Sequence, residues 1–399
     1  MVPKIDSDIG IMLYSTSFEG VGGKIRSSPE NFFVSEILDE KMLAKISQTA
    51  GYAVYKLKKY GIDTNHTLSE IFNTHGLRLK AFGLKDANAT TEQFVCNTNT
   101  TRSPERISTN RYVLDRMGFV AKPLTKKFMV GNKFEIKIDG ANFEKISNFK
   151  DYGKVLNFYG YQRFGSKRPV SHLIGKAILQ RDFEKAVQIL LSFTSENDLA
   201  GNNKIRKILE DKSNYEKAIK EIPPQMDLER IVLDEIIKHG DAIKALRALP
   251  LSLRRFFVQA FQAYVFNRTV SMAFDDGEEL FLPKEGDVCF DKNNDIGRYQ
   301  NDPTQRLALP LVGYSYSKSN RFDHQIAKIL EREGIHAKDF FLKEMQEVSD
   351  QGGFRQAAIK CENFSVSEPI VSFILSRGSY ATILLREIMR PANPIEAGF

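Results

Sequence analysis

Residues 82–93 read Phe82-Gly83-Leu84-Lys85-Asp86-Ala87-Asn88-Ala89-Thr90-Thr91-Glu92-Gln93. The pattern predicts a strand over Leu79–Leu84 that runs into Lys85-Asp86. A turn through Ala87-Asn88-Ala89 follows, and a second strand starts near Glu92. An acid at the end of a strand, just ahead of a turn, is well placed to face a ligand. The same residues also suit a plain turn, because Asp and Asn are favoured there for local hydrogen bonds. Spacing alone leaves both readings of Asp86 open.

Around this segment the texture is β-rich. Asn31–Ile37 and Tyr52–Lys58 carry β-forming residues, and Lys133–Asp139 (KFEIKID) alternates apolar with charged residues as a half-buried strand does. Between them, Thr64–His75 sets Leu68, Ile71, Phe72 and His75 on one helical face and stops before Gly76. From about residue 170 the periodicity becomes helical. Helices are expected over Ser171–Leu191 with Asp182 capping a second segment, over Asp227–Lys238, and from Asp241 to Pro250. A long apolar helix is expected over Leu251–Phe274, and another over Arg321–Glu333. Residues 275–320 read as loop-rich, with the polar, turn-forming stretch DKNNDIGRYQND at 291–302. After residue 352 strand texture returns at Phe354–Lys360, Asn363–Ser367 and Ile370–Ser376. Arg377-Gly378-Ser379 then opens a helix through Met389, with Ser379 as N-cap. The order predicts a sheet domain, residues 1–165 and 340–399, with a helical domain inserted at 166–339.

Composition narrows the function. A chain of 399 residues is long enough for two domains. The hydrophobic share, 42%, is that of a soluble globular protein, and no apolar run approaches the roughly 18 residues of a membrane span. The start, MVPKIDSDIG, lacks the features of a signal peptide, so the expected location is the cytoplasm. Cys96, Cys289 and Cys361 form no CxxC pair, and the six histidines show no metal spacing. No metal is therefore expected. The net charge of +7 favours a polyanionic partner. Basic residues interleave with rings and glycines in Lys24–Arg26, Arg78–Lys85, Lys122–Phe128, Gln162–Arg168 and Leu253–Phe257, which suits phosphates and unstacked bases. Solvated helix faces and loops would account for each cluster singly.

Two further segments stand out. Leu156–Gly165 (LNFYGYQRFG) mixes rings with Asn157, Gln162 and Arg163, groups able to read a base edge or pair with a phosphate or carboxylate. A packed aromatic strand is the plainer alternative. Ile374–Arg390 (ILSRGSYATILLREIMR) places a Gly-Ser turn at a helix start, an anion site at most.

Together these segments resemble the TruD family of pseudouridine synthases. GLKDANATTEQ is similar to the family's G-x-K-D…T-x-Q motif, NFYGYQRFG to N-Y-F-G-x-Q-R-F-G, and RGSYATILLREIM to its C-terminal G-S-Y/F-A-T…R-E motif. IRSSPENFFVSEI (Ile25–Ile37) resembles the family's start, and QAFQAYVFN (Gln259–Asn267) a segment of its inserted domain. The five occur in the family's order and span nearly the whole chain.

The resemblance implies an α+β fold. Its catalytic domain is a mixed sheet with helices in permuted strand order, interrupted by a mainly helical TRUD domain. It implies isomerisation of uridine to pseudouridine in tRNA, most commonly at uridine 13 of the D arm, by a monomer without cofactor or metal. By match to the motifs, Asp86 is the catalytic carboxylate. It would act either at C1′ as nucleophile or at C2′ as base. Arg26, or as second choice Arg163, would keep it ionised. Tyr159 would stack on the uracil, Asn157 would supply a polar contact, and Phe373 would cover the other side of the pocket. Two departures are visible. Phe158-Tyr159 reverses the family's Tyr-Phe order, which adds a hydroxyl near the base. Leu375-Ser376-Arg377 lacks the usual Pro, and Arg377 becomes a candidate RNA contact.

Two other functions remain to be weighed. A non-catalytic RNA-binding protein on the same scaffold would have lost the acid, and Asp86 is present. A nucleoside or sugar hydrolase would need two carboxylates, and the motif supplies no second one except Glu92.

Overall fold

The structure, a computed structural model, describes residues 1–47, 50–100 and 102–399. It divides into two compact units, each built from more than one stretch of chain. One comprises Thr16–Val155 and Ile359–Gly398; the other comprises Met1–Ser15, Leu156–Ala358 and Phe399. The divisions fall at Val155/Leu156 and Ala358/Ile359, where the sequence reading places them after residue 165 and before residue 340. The physical reason is that Leu156–Gly165 packs on the long helix Leu251–Asp275. There Asn267 brackets Tyr159, accepting from its N–H (2.8 Å) and donating to its carbonyl (3.1 Å).

The first unit is organised by a nine-stranded mixed sheet. Its early strands are β1 (Phe32–Leu38), β2 (Tyr52–Tyr60), β3 (Leu79–Ala81), β4 (Thr90–Asn97), β5 (Arg106–Ser108), β6 (Tyr112–Val120) and β7 (Met129–Lys137). The order begins with the hairpin Glu362–Ser367/Ile370–Ser376 and continues β7, β1, β4, β2, β6, β5. β3 pairs with β4 beside this path. Among the described residues of this sheet only β1 and β4 pair in parallel; Phe33 lies opposite Thr90. The last strand joins β7 antiparallel with Phe373 opposite Phe134.

Both faces of the sheet are covered. Val54 faces a cluster with Leu38, Phe82, Phe94 and Val120, while Ala53, Tyr55 and Leu57 face Ile71, Leu77, Val95 and Leu114. Period-two alternation along β2 makes this possible. The helix Thr64–His75 lies on the second face through Ile71. Asp63 caps it by accepting from the His66 N–H, and Gly76, at φ 69°, ends it in the left-handed conformation that glycine adopts without strain. β5 and β6 were not anticipated; RYVLDRMGFV lacks clean alternation, and β6 is bulged against β2 between Val54 and Tyr55.

The second unit is largely helical. It contains Ser171–Leu179, Phe183–Ser192, Ala200–Ile208, Asp227–His239, Ala242–Ala248, Leu251–Asp275 and Asp323–Glu333. Asp182 and Asp241 cap their helices as expected. Gly175 lets two helices meet closely, because a Cβ there would sit 2.0 Å from the Phe257 carbonyl oxygen. The interval read as loop-rich holds strands instead. Val288–Phe290, Ile296–Arg298 and Arg306–Leu311 form a four-stranded sheet with Gly353–Gln356.

Candidate active site

β3 ends at Ala81, and the chain then runs irregularly to Thr90. Asp86 therefore sits within a loop, several residues beyond the observed strand end at Ala81, where the sequence reading extends the strand to Leu84. Its side chain is 59% exposed, yet the loop is held at Gly83, Lys85 and Asp86. The Gln93 amide donates to the Gly83 carbonyl (3.3 Å), and the Lys85 N–H donates to Thr64 Oγ1 (2.9 Å). Thr64 in turn donates to Gln93 Oε1 at 2.9 Å. From β2, the ammonium of Lys59 donates to the carbonyls of Lys85 (3.2 Å) and Asp86 (2.9 Å).

Lys85 itself points inward. Its Nζ lies 3.0 Å from Glu36 Oε1 and donates to Asn132 Oδ1 at 2.9 Å, while Glu36 Oε2 accepts from the Phe94 N–H. Glu36 is wholly buried, so each member of this pair compensates the other's lost hydration. Glu92, the only other acid of the motif, is held by Lys56 (2.5 Å) and Lys58 (3.7 Å).

The cation beside Asp86 is Arg26, with Nη2 3.4 Å from Oδ2. Arg26 has φ 59°, a left-handed value that costs a non-glycine residue backbone energy. It is held there by the Phe32 ring, 4.4 Å from its guanidinium carbon, and by the Gly398 carbonyl, 3.3 Å from Nη1. Burial pulls the Arg26 pKa below the ordinary value and Asp86 pulls it back. The Arg26 charge is thus partly stripped of water, which strengthens its field at the carboxylate.

Phe373 is 1% exposed and stacked on Phe134 (5.3 Å, 28°), whose edge meets Phe32. It backs Phe134, which in turn meets the ring under Arg26, and at 1% exposure it presents no open face, contrary to the expectation that it covers a pocket. Arg377 donates to the Lys126 carbonyl at 2.6 Å. The C-terminal helix begins at Ala381 with Tyr380 at the N-cap position, not Ser379. Arg386 and Glu387 of the same motif are fully buried, which makes them internal supports.

The other three expected residues lie in the helical unit and form one cluster. Tyr159 packs edge-on against Phe266 (5.6 Å, 84°). The Arg355 guanidinium carbon lies 3.9 Å from the Tyr159 ring centre, and that of Arg163 lies 5.4 Å away. Arg163 also reaches the Phe256 ring at 5.2 Å, so its neighbours here are aromatic. Asn157 is 3% exposed, and its amide is engaged on both sides: Oδ1 accepts from Arg355 Nη2 (2.7 Å) and Nδ2 donates to the Gln356 carbonyl (2.9 Å). It orients Arg355 rather than facing outward.

Lys59, Glu36 and Arg355 were missed by sequence reasoning. Lys59 had a signal: in YAVYKLKKY it occupies the position that alternation assigns to the buried face. Arg355 had none, being 198 positions from the residue it contacts.

Among the described residues, no group of three His, Cys, Asp or Glu is placed to hold a metal ion. No described helix is long and apolar enough to cross a membrane.

The family model for tRNA pseudouridine synthase D (TruD) matches residues 8–388. A probable tRNA pseudouridine synthase D of Pyrobaculum islandicum is 30% identical over 418 residues, covering 100% of this chain and 99% of its own. One from Methanosarcina mazei is 29% identical, covering 99% of each. The crystal structure of a putative tRNA pseudouridine synthase D from Methanosarcina mazei superposes with a TM-score of 0.79, at 26% identity and 99% coverage of both chains. A match over almost the full length, in sequence and in fold, shows that the chain belongs to the tRNA pseudouridine synthase D (TruD) family.

Proposed function

We propose that this protein isomerises uridine to pseudouridine in tRNA, at uridine 13 of the D arm, with Asp86 as the reactive carboxylate. The observation that carries the reading is the setting of Asp86. Its carboxylate is open to a substrate, its backbone is pinned on both sides, and a largely buried guanidinium lies 3.4 Å away.

The reaction breaks the bond between ribose C1′ and uracil N1, turns the base, and forms a bond from C1′ to C5. The hydrogen on C5 leaves as a proton, and the proton gained at N1 balances it. The Asp86 carboxylate starts this by attacking C1′ or by taking the proton from C2′. Either route uses the carboxylate form of Asp86, and the Arg26 guanidinium lies 3.4 Å from it. The nucleotide must leave its stack to be reached. Tyr159 would stack on an extruded base, with Arg163 and Arg355 adding cationic surface beside it. Asn157 serves this cluster by holding Arg355.

Release of tritium from tRNA labelled at uracil C5 tests the activity. Asp86→Asn should abolish release and leave tRNA binding nearly intact, since the amide keeps the shape and loses the charge. Appreciable turnover by a clean Asp86→Asn preparation would overturn the assignment. A pseudouridine map of tRNA from cells lacking the protein tests the position: an unchanged uridine 13 would remove that part of the reading.

A further inference from the structure

The alternation of β2 places Tyr55, Leu57 and Lys59 on one face, and all three are 0% exposed. A lysine ammonium at that depth needs acceptors for three N–H donors. Lys59 finds them all in main-chain carbonyls: Ile62 at 2.6 Å, Asp86 at 2.9 Å and Lys85 at 3.2 Å. Two of the three belong to the loop that carries Asp86. The charged groups that act on Lys59 are Asp63, ahead of the neighbouring helix, and Asp86 and Lys85 of the loop itself.

We propose that Lys59 is a positioning residue for the isomerisation: its ammonium ties the carbonyls of Lys85 and Asp86 to β2 and so sets the direction in which the Asp86 carboxylate projects. The inference rests on the reading of Asp86 as the reactive group. Its physical basis is a count of donors. The ammonium satisfies three carbonyls, whereas the neutral amine has two N–H groups and a lone pair that repels the third oxygen. Loss of the proton therefore loosens the loop. A displacement of about 1 Å at a reacting group can cost on the order of 100-fold in rate.

The protonation of Lys59 lies within experimental reach. Burial pulls it down to about 8; Asp63 and Asp86 oppose the shift and Lys85 adds to it. Rate and stability then respond to pH in opposite directions. Above about pH 8 the folded protein gives up this proton while the unfolded chain keeps it to about 10.5. The unfolded state binds more protons in that window, so the contribution of Lys59 to stability rises there. A fall in rate across the same window cannot come from unfolding driven by this residue.

The test uses the full chain and tRNA, with single-turnover rates at saturating RNA measured from neutral pH upward, alongside RNA affinity and melting temperature. For the wild type, the rate should fall above about pH 8 with no loss of affinity. Lys59→Met should lose on the order of 100-fold in rate, with RNA affinity retained. Lys59→Arg stays charged throughout and should recover part of the rate with a level profile. A level wild-type profile, or a folded Lys59→Met at the wild-type rate, overturns the inference. So does a fall shared by Lys59→Arg, which assigns the titration to the RNA or another group. If Lys59→Met does not fold, the wild-type and Lys59→Arg profiles decide. Asp86→Asn run in parallel separates the two claims. Its activity would remove the reading of Asp86; its inactivity beside a level wild-type profile would remove the clamp alone.

Discussion

Charge reversal at neighbouring Lys167 and Arg168 should have two unrelated effects. In the sequence the two residues form one basic cluster beside QRFG, suited to an RNA backbone. In the structure only Lys167 is exposed. Arg168 donates to the carbonyls of Leu190 (3.0 Å) and Phe193 (3.3 Å), and its Nη2 lies 3.1 Å from Glu229 Oε1. Glu229 also accepts from Arg206 at 2.7 Å, and Arg206 pairs with Asp198. Side-chain exposures are 17% for Arg168, 7% for Glu229, 5% for Arg206 and 13% for Asp198. Removing one member of such a buried network costs about 3–5 kcal/mol. In Arg168→Glu the new carboxylate also meets Glu229; like charges about 4 Å apart repel by roughly 4 kcal/mol at an effective dielectric of about 20. Rearrangement relieves part of that, so a loss of at least about 4 kcal/mol is expected. For a body of this size each kcal/mol moves the melting temperature by about 2–4 °C, which gives a drop of at least about 8 °C in scanning calorimetry. Lys167→Glu should change stability by no more than about 0.5 kcal/mol. Its effect should appear in tRNA binding instead, as a logarithmic salt dependence flattened by roughly one phosphate contact. Wild-type melting of Arg168→Glu together with weakened, salt-sensitive RNA binding would refute the argument and turn Arg168 outward.

Three other outcomes follow from the same geometry. Tyr159→Ala should weaken RNA engagement by about 1–3 kcal/mol while Tyr159→Phe stays near wild type, measured as tRNA affinity and single-turnover rate; a Phe variant as poor as Ala would make the hydroxyl the important group. Arg355→Met should show part of the Tyr159→Ala defect, because the cation at 3.9 Å from the ring is lost; tRNA affinity equal to wild type would leave Arg355 a purely internal contact. Burial pulls His172, stacked on Tyr264, down to about 4. The unfolded chain takes up that proton near pH 6.5 and the native state does not, so stability should fall by about 3 kcal/mol between about pH 6.5 and 4. Denaturant melts across this range should show the slope, and His172→Phe should lack it.

Legibility in the sequence followed the range of the forces involved. The helix Thr64–His75 was readable to both ends because Asp63 and Gly76 act within a few residues. The caps at Asp182 and Asp241 were readable for the same reason. Asp86 was nominated through its motif, but its placement in a loop was not readable, since a hydrogen bond to Thr64 and others from Gln93 and Lys59 fix that path from other elements. Asn157 and Phe373 were nominated by motif position. Their burial depends on Arg355 and Phe134, distant partners that no local pattern announces. Arg168 was misjudged similarly: a basic residue in a polar run looks the same whether its partner is solvent or a Glu229 that lies 61 positions away.

The place of Ile370–Ser376 in the sheet has a consequence for how the protein is made. β7 accepts this strand along its outer edge, yet the strand leaves the ribosome long after β7 ends at Lys137. At roughly 5–20 residues per second, translation leaves that edge bare for on the order of 10–50 s. An unpaired edge of that length invites pairing with whatever strand passes by, including one from another nascent chain. Lys133, Glu135 and Lys137 alternate along it and put a charge at every second position. Such charges discourage an intruding strand during the wait. They do not obstruct the proper one, which meets them with Ile374, Ser372 and Ile370. The charges that mark β7 as a half-exposed strand thus also guard the nascent chain until its own C-terminus arrives.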